Sequence, residues 1–384
     1  MTFFSRTLAV FLLVPAFFMF GCGSGYSIPF NAFSTTTATP TPAPTPTPPP
    51  VPPPAPAPPP PMPAPPPSPT TPTTFPPGFW VDSGMIPPAQ NVMTFKFLNR
   101  TNGVWPDNEV WWMVNINGVV TIHSIADQST FDMPTSASGR VYVMFGPGPA
   151  SVVQNNPSNP ESYFDFMEYD ISGTTATQPA MFHGNTTRVD AFGIKLAMQL
   201  MCADGYNPTV GEDPAAFAED RSVTFQRFIA QVPVEYQHLG TVQAPYRIPS
   251  PGFSGDSFAA GGQYADYYTA YVNQIWQSNG LTIPLATANA GGLGSYPDLS
   301  AAIYRHVAVD GMFNPDGSLV DGNFWRNTSS STFYQQAPAN YYAQFIHSMA
   351  VNGLAYGFPY DDVGGYSSYI SHNNPLWIQI AIGW

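Results

Sequence analysis

The residues of this chain best suited to chemistry are carboxylates carried at strand spacing. In Tyr163-Phe-Asp-Phe-Met-Glu-Tyr-Asp-Ile171, successive side chains alternate between faces. Phe164, Phe166, Glu168 and Asp170 then share one face, and Asp165, Met167, Tyr169 and Ile171 the other. Neither face is purely apolar, so this strand presents acids whichever way it lies. A further acid, Asp190, stands in Thr187-Arg-Val-Asp-Ala-Phe-Gly-Ile194, whose other residues suit a core strand. An acid there is costly unless a cleft solvates it or a cation pairs with it. A surface pair with Arg188, or a place facing a loop, would satisfy it without any catalytic role. In a cleft, Glu168 and Asp190 are candidates for general acid–base work. The six histidines show no ligand spacing such as H-E-x-x-H, so no metal site is expected. Ser254, in Gly252-Phe-Ser-Gly255, lacks the full nucleophile-elbow pattern and reads as loop.

Composition narrows the partners. Charged residues make up only 9% of the chain, against about 25% in ordinary domains, and the formal net charge is −13. No basic patch is present to neutralise phosphates, which argues against nucleic acid. Aromatic residues reach 15%. A neutral polysaccharide suits such a surface, because sugar rings offer apolar C–H faces to aromatics and hydroxyls to polar side chains. A β-rich core built from Phe and Tyr would give the same count.

The elements that must position the acids are mostly strands. Thr94–Asn99, Glu109–Asn117, Gly118–Ile125, Gly139–Phe145 and Tyr163–Ile171 are short, rich in β-branched or aromatic residues, and bounded by turn formers. Asn117-Gly118 marks a hairpin, and Thr187–Cys202 reads as one further strand. Helical spacing then appears at Phe225, Phe228, Ile229 and Val232, stopping at Pro233. It recurs at Tyr268, Tyr271, Val272, Ile275 and Trp276, after the cap candidate Asp266, and at Tyr342, Phe345, Ile346 and Met349, after Asn340. Leu376–Ile382 reads as a last strand. The expected fold is mainly β: a sandwich or barrel formed by residues 79–204 and 301–384, with a mixed α/β subdomain inserted at 205–300.

The start of the chain is not core material. Residues 1–21 read as an export signal, with Arg6 followed by an apolar run to Phe20 that is too short to span a membrane. Cys22, after Met19-Phe20-Gly21, resembles the lipidated cysteine of a bacterial lipobox; cleavage after Ser24 or Gly25 is the alternative. Residues 22–78 hold about half of the 46 prolines and form an expected stalk of extended polyproline type, with a reach on the order of 100 Å. The expected location is therefore the cell surface, with a lipid at Cys22 as the sole membrane contact, or the medium. Cys202 has no partner and reads as a buried apolar residue in a monomer.

Phe166-Met-Glu-Tyr169 and Asn185-Thr-Thr-Arg-Val-Asp-Ala-Phe-Gly193 resemble the paired catalytic strands of glycoside hydrolase family 64. Gln243–Ile248, Gly261–Tyr264 with Ile275-Trp276, and Tyr356–Val363 are similar to further family segments, in the family's order. The resemblance implies a thaumatin-like β-domain and a mixed α/β domain with a groove between them for β-1,3-glucan. It also implies an inverting, laminaripentaose-releasing endo-β-1,3-glucanase that uses no cofactor. Glu168 would be the general acid and Asp190 the general base, about 6.5–9.5 Å apart, and Thr187 a sugar contact. Asp170 and Ser172 stand where the family has Thr and Asn; Asp170 either tunes Glu168 or is its true partner. Asp361 and Asp362 either line the acidic groove or cap a turn. The rival reading is a tethered glucan-binding or adhesive protein without turnover.

Overall fold

The computed structural model describes residues 74–148, 161–251, 257–258, 262–267, 339–358, 361 and 365–384. The export signal, Cys22, most of the proline stalk, the helix expected through Tyr268–Trp276, and Asp362 lie outside them.

Alternating apolar residues build two sheets that face each other. The first joins β1 (Met93–Arg100), β4 (Thr130–Met133), β9 (Lys195–Cys202), β10 (Thr209–Gly211) and β13 (Pro375–Gly383) in the order β10-β9-β13-β1-β4. The second joins β2 (Val110–Ile116), β3 (Val119–Ser124), β5 (Ser136–Phe145), β6 (Phe164–Ser172), β7 (Met181–Asn185) and β12 (Ile370–Asn373) in the order β12-β7-β6-β5-β2-β3. Phe95, Phe97, Met198, Leu200, Ile378 and Ile380 from the first sheet meet Trp112, Val141, Met167, Tyr169, Ile171 and Phe182 from the second in one core. Phe97 stacks on Trp112 at 4.7 Å and Phe95 meets Tyr169 edge-on at 5.5 Å. Neither sheet closes into a barrel.

Each large apolar side chain buried here contributes about 1.5–3 kcal/mol, so the core needs no disulfide. Cys202 is a free thiol, 1% exposed, within it. Burial, then the charge of Asp204, pushes that thiol up to about 11, which leaves it unreactive. The hairpin at Asn117-Gly118 forms as expected, because both residues take positive φ, 53° and 84°. Helix Arg221–Gln231 buries Phe225 and Phe228 and ends ahead of Pro233. Helix Tyr341–Ser348 starts at Asn340, whose side-chain oxygen accepts from Ala343 N at 3.0 Å.

Two boundaries differ from the sequence reading. The domain starts before residue 79, because Phe75 lies 4.2 Å from the ring of Phe79 and 6.0 Å from Phe217. These rings cover Ala197 and Ala381 on the outer side of the five-stranded sheet. The single strand expected over Thr187–Cys202 is broken in three. Thr187 makes an isolated bridge to Tyr356, Val189 and Asp190 form a bend, and β8 (Ala191–Phe192) pairs with β11 (Ile248–Pro249) before β9 begins. Near the start of the segment Arg188 turns inward to Asp165 and Glu212.

Candidate active site

The outer face of the six-stranded sheet carries the first acid. Register sets Arg140 of β5 opposite Glu168 of β6, and Glu168 opposite Asn185 of β7; in the next row Asp170 faces His183. The same outer face holds Trp111, Met144, Phe164 and Phe166, with Met113, Ile122 and Tyr142 packed beside them. Arg140 donates from Nε and Nη2 to Oε1 of Glu168 at 3.2 and 3.0 Å. Its guanidinium also lies 4.4 Å from the centre of the Phe166 ring. Burial opposes the charge of Arg140, yet Tyr142 and Glu168 outweigh it and hold the guanidinium above its ordinary value.

Asp190 arrives from the loop between β7 and β8, and that loop is fixed from below. Arg188, 1% exposed, pairs with Asp165 at 2.9 Å and Glu212 at 2.8 Å. Burial works against its charge, but the two acids together raise its pKa above the ordinary value. Arg188 N donates to Tyr356 O at 2.7 Å, and the Tyr342 hydroxyl donates to Arg188 O at 2.7 Å. Asp165 also accepts from Gly193 N at 2.8 Å and Ile194 N at 2.9 Å, while Ser250 N donates to Asp190 O at 2.9 Å. The expected alternative, an Arg188–Asp190 surface pair, is therefore ruled out: Arg188 points into the protein and serves other acids.

The Asp190 side chain lines a pocket of about 50 Å³ together with Arg140, Phe164, Phe166 and Arg247. That is room for a few water molecules. Asp190 as a residue is exposed, yet protein surrounds enough of its carboxyl to desolvate it. This desolvation pushes its pKa up; Arg140 pulls it down, Glu168 pushes it up and Arg247 pulls it down. Arg140 thus bonds one acid and lines the pocket of the other, which gathers Glu168 and Asp190 around one guanidinium.

The remaining candidates fall in different places. Asp170 is half-buried and accepts from Ser138 N at 3.4 Å. Ser172 is exposed at the end of β6, opposite Met181. Thr187 is 5% exposed and its hydroxyl accepts from Val189 N at 3.4 Å. Asp361 is 0% exposed, accepts from Gly357 N and Phe358 N, and meets His347 Nε2 at 3.0 Å. Its carboxylate thereby holds the turn at Gly357-Phe358. Arg140 and Arg247 are the site residues that sequence reasoning passed over. Pairing β5 with β6 would have brought Arg140 to Glu168.

Comparison with known proteins decides the family. The model of glycoside hydrolase family 64, described as β-1,3-glucanase, matches residues 90–291 and 284–382. The chain belongs to that family. Among solved structures, this family 64 chain is similar to a laminaripentaose-producing β-1,3-glucanase from Paenibacillus barengoltzii. Identity is 30% and the TM-score 0.60, over 80% of this chain and 78% of that one. The same enzyme complexed with laminarihexaose matches at 29% identity over the same shares, again with a TM-score of 0.60. A β-1,3-glucanase domain from Clostridium beijerinckii shares the fold at 20% identity and a TM-score of 0.57, over 78% of this chain and 100% of that one. A glucan endo-1,3-beta-glucosidase of Cellulosimicrobium cellulans is 36% identical over 77 residues, which is 20% of this chain. The match spans only 12% of that relative's length.

Proposed function

We propose that this family 64 chain is an extracellular endo-β-1,3-glucanase that hydrolyses its glucan with inversion. The observation that carries the reading is that Arg140 bonds Glu168 and lines one pocket with Asp190, beside the aromatic outer face of the sheet. Glu168 is the general acid. Arg140 occupies Oε1, so the proton given to the leaving glycosidic oxygen comes from Oε2. Asp190 is the general base: its carboxylate takes a proton from a water in the adjoining pocket while that water attacks the anomeric carbon from the opposite face. The protons balance, since one leaves Glu168 with the departing sugar and one arrives on Asp190. The carboxyl separation belonging to this mechanism is about 6.5–9.5 Å.

The glucan chain lies in a groove beside Glu168 and Asp190, in a thaumatin-like arrangement. By similarity to the Paenibacillus barengoltzii enzyme, the product is laminaripentaose. A lipid on Cys22 and the proline stalk let a monomer reach insoluble glucan. Assay of the full chain on laminarin and curdlan tests the reading, with the anomeric form of the first product followed by NMR. Release of α-anomer by wild type, abolished in Glu168→Gln and Asp190→Asn, supports it. Curdlan binding without soluble product across pH 4–8 would replace it with the non-catalytic binder.

A further inference from the structure

Two strands away from Glu168, the outer face of the six-stranded sheet ends in a side-chain pair that the acid–base chemistry does not use. β12 sets Ile370 opposite Gly184 and Ser371 opposite His183. Ile370 belongs to the core, so its neighbours Tyr369 and Ser371 face outward with His183. His183 Nδ1 and the Tyr369 hydroxyl lie 2.6 Å apart, and the two rings stack at 24° with centroids 6.1 Å apart. Tyr369 nonetheless keeps 38% of its surface open. Between this pair and Glu168 stands Asn185, whose Oδ1 is buried without a hydrogen-bond partner. Asp170 lies across from His183.

We propose that Tyr369, braced by His183, is a stacking platform for one glucosyl ring of the β-1,3-glucan, in a subsite to one side of the bond that is cleaved. The inference rests on the glucanase reading and adds a binding position to it. Strands lie about 4.8 Å apart, so the Tyr369 backbone stands about 10 Å from that of Glu168. That is clear of the reacting atoms and within reach of the same oligosaccharide. A flat ring suits the C–H face of a sugar, and a ring already tethered through its hydroxyl loses little freedom when the sugar arrives. Asp170 and His183, opposite each other in the neighbouring strands, supply polar edges for hydroxyls.

The test uses the full chain and laminarihexaose, with thermal melting as the check on folding. Tyr369→Ala should raise KM about tenfold with kcat nearly kept, the loss of one ring-on-ring contact, and should shift the distribution of product lengths. Tyr369→Phe keeps the flat face and should move KM far less; Tyr369→Leu fills the space without a flat face and stands in for an Ala variant that fails to fold. An unchanged KM and product pattern in a folded Tyr369→Ala or Tyr369→Leu protein overturns the proposal, as does an equal KM rise in Tyr369→Phe. If wild type cleaves nothing, the glucanase reading fails by itself, and retardation in laminarin-containing gels decides the platform. Retardation lost in Tyr369→Ala and kept in Tyr369→Phe upholds it, and retardation unchanged in both overturns it.

Discussion

Arg140 directs both Nε and Nη2 at a single oxygen of Glu168, at 3.2 and 3.0 Å, while its flat face rests on Phe166. One oxygen of the carboxyl is thereby fixed in place and the other is left for chemistry. Charge-assisted bonds of this kind orient a side chain more firmly than neutral ones. The glucanase reading therefore depends on Arg140 as well as on the two acids.

Glu168→Gln keeps the shape and removes the proton donor, so kcat should fall by about 10²–10⁴. Arg140→Gln keeps the acid but releases its orientation, and should lower kcat by at least about tenfold with a smaller change in KM. Asp170→Asn should have a modest effect. A loss in Asp170→Asn equal to that in Asp190→Asn would move the base role to Asp170. Steady-state kinetics on laminarin read all four variants.

The acidic limb of kcat/KM should lie above the pH expected of an ordinary aspartate, because a base must be ionised and desolvation raises the pKa of Asp190. Arg140 and Arg247 pull that pKa down and Glu168 pushes it up. The limb should therefore move to higher pH in Arg140→Gln and Arg247→Gln, and to lower pH in the residual activity of Glu168→Gln. Shifts of the opposite sign would exclude Asp190 as the base.

Glu212→Ala leaves Arg188 buried with one of its two acids gone. Removing one partner of such a pair costs about 3–5 kcal/mol, readable as a lower urea midpoint. Activity should fall with it, since Arg188 anchors the loop that ends at Asp190. A loss below about 1 kcal/mol would mean that the loop is held by its backbone bonds.

Lys195 is 1% exposed, and its ammonium donates to the backbone oxygen of Glu219. Burial lowers its pKa to about 8, against which the charge of Glu219 acts. The folded protein thus binds this proton less tightly than the unfolded chain. The penalty is full below pH 8 and fades as pH rises toward the ordinary lysine value of 10.5. Lys195→Met should raise Tm at pH 7, and the gain should shrink by pH 10; a gain that is flat with pH would refute the linkage.

Alternation alone grouped the residues of the Glu168 strand by face, but did not tell which face turns inward. In the structure Met167, Tyr169 and Ile171 turn inward, and Phe164, Phe166 and Glu168 outward. The segment with Asp190 was not readable, because its shape depends on Arg188 finding Asp165 and Glu212, acids on other elements far along the chain. Strands β7 and β12 escaped because Met181-Phe-His-Gly-Asn185 and Ile370-Ser-His-Asn373 are too short and polar to signal a strand. They are visible only as neighbours of β6 and of each other. Arg140 escaped for a related reason: its register against Glu168 is set beside an irregularity between Ser136 and Gly139, which no local pattern announces.

The strand Pro375–Gly383 lies in the middle of the five-stranded sheet, parallel to β1 on one side and antiparallel to β9 on the other. Everything from β1 to β10 is therefore made before the strand that joins the two halves of that sheet. A growing chain can form the β2–β3 hairpin and add β5 and β6 early, but the inner faces of β1 and β9 must wait for Ile378, Ile380 and Ile382. Pairings between such distant segments are slow to form. Until that strand arrives the five-stranded sheet stays open, and without Pro375–Gly383 it would be two unjoined half-sheets with their apolar faces bare.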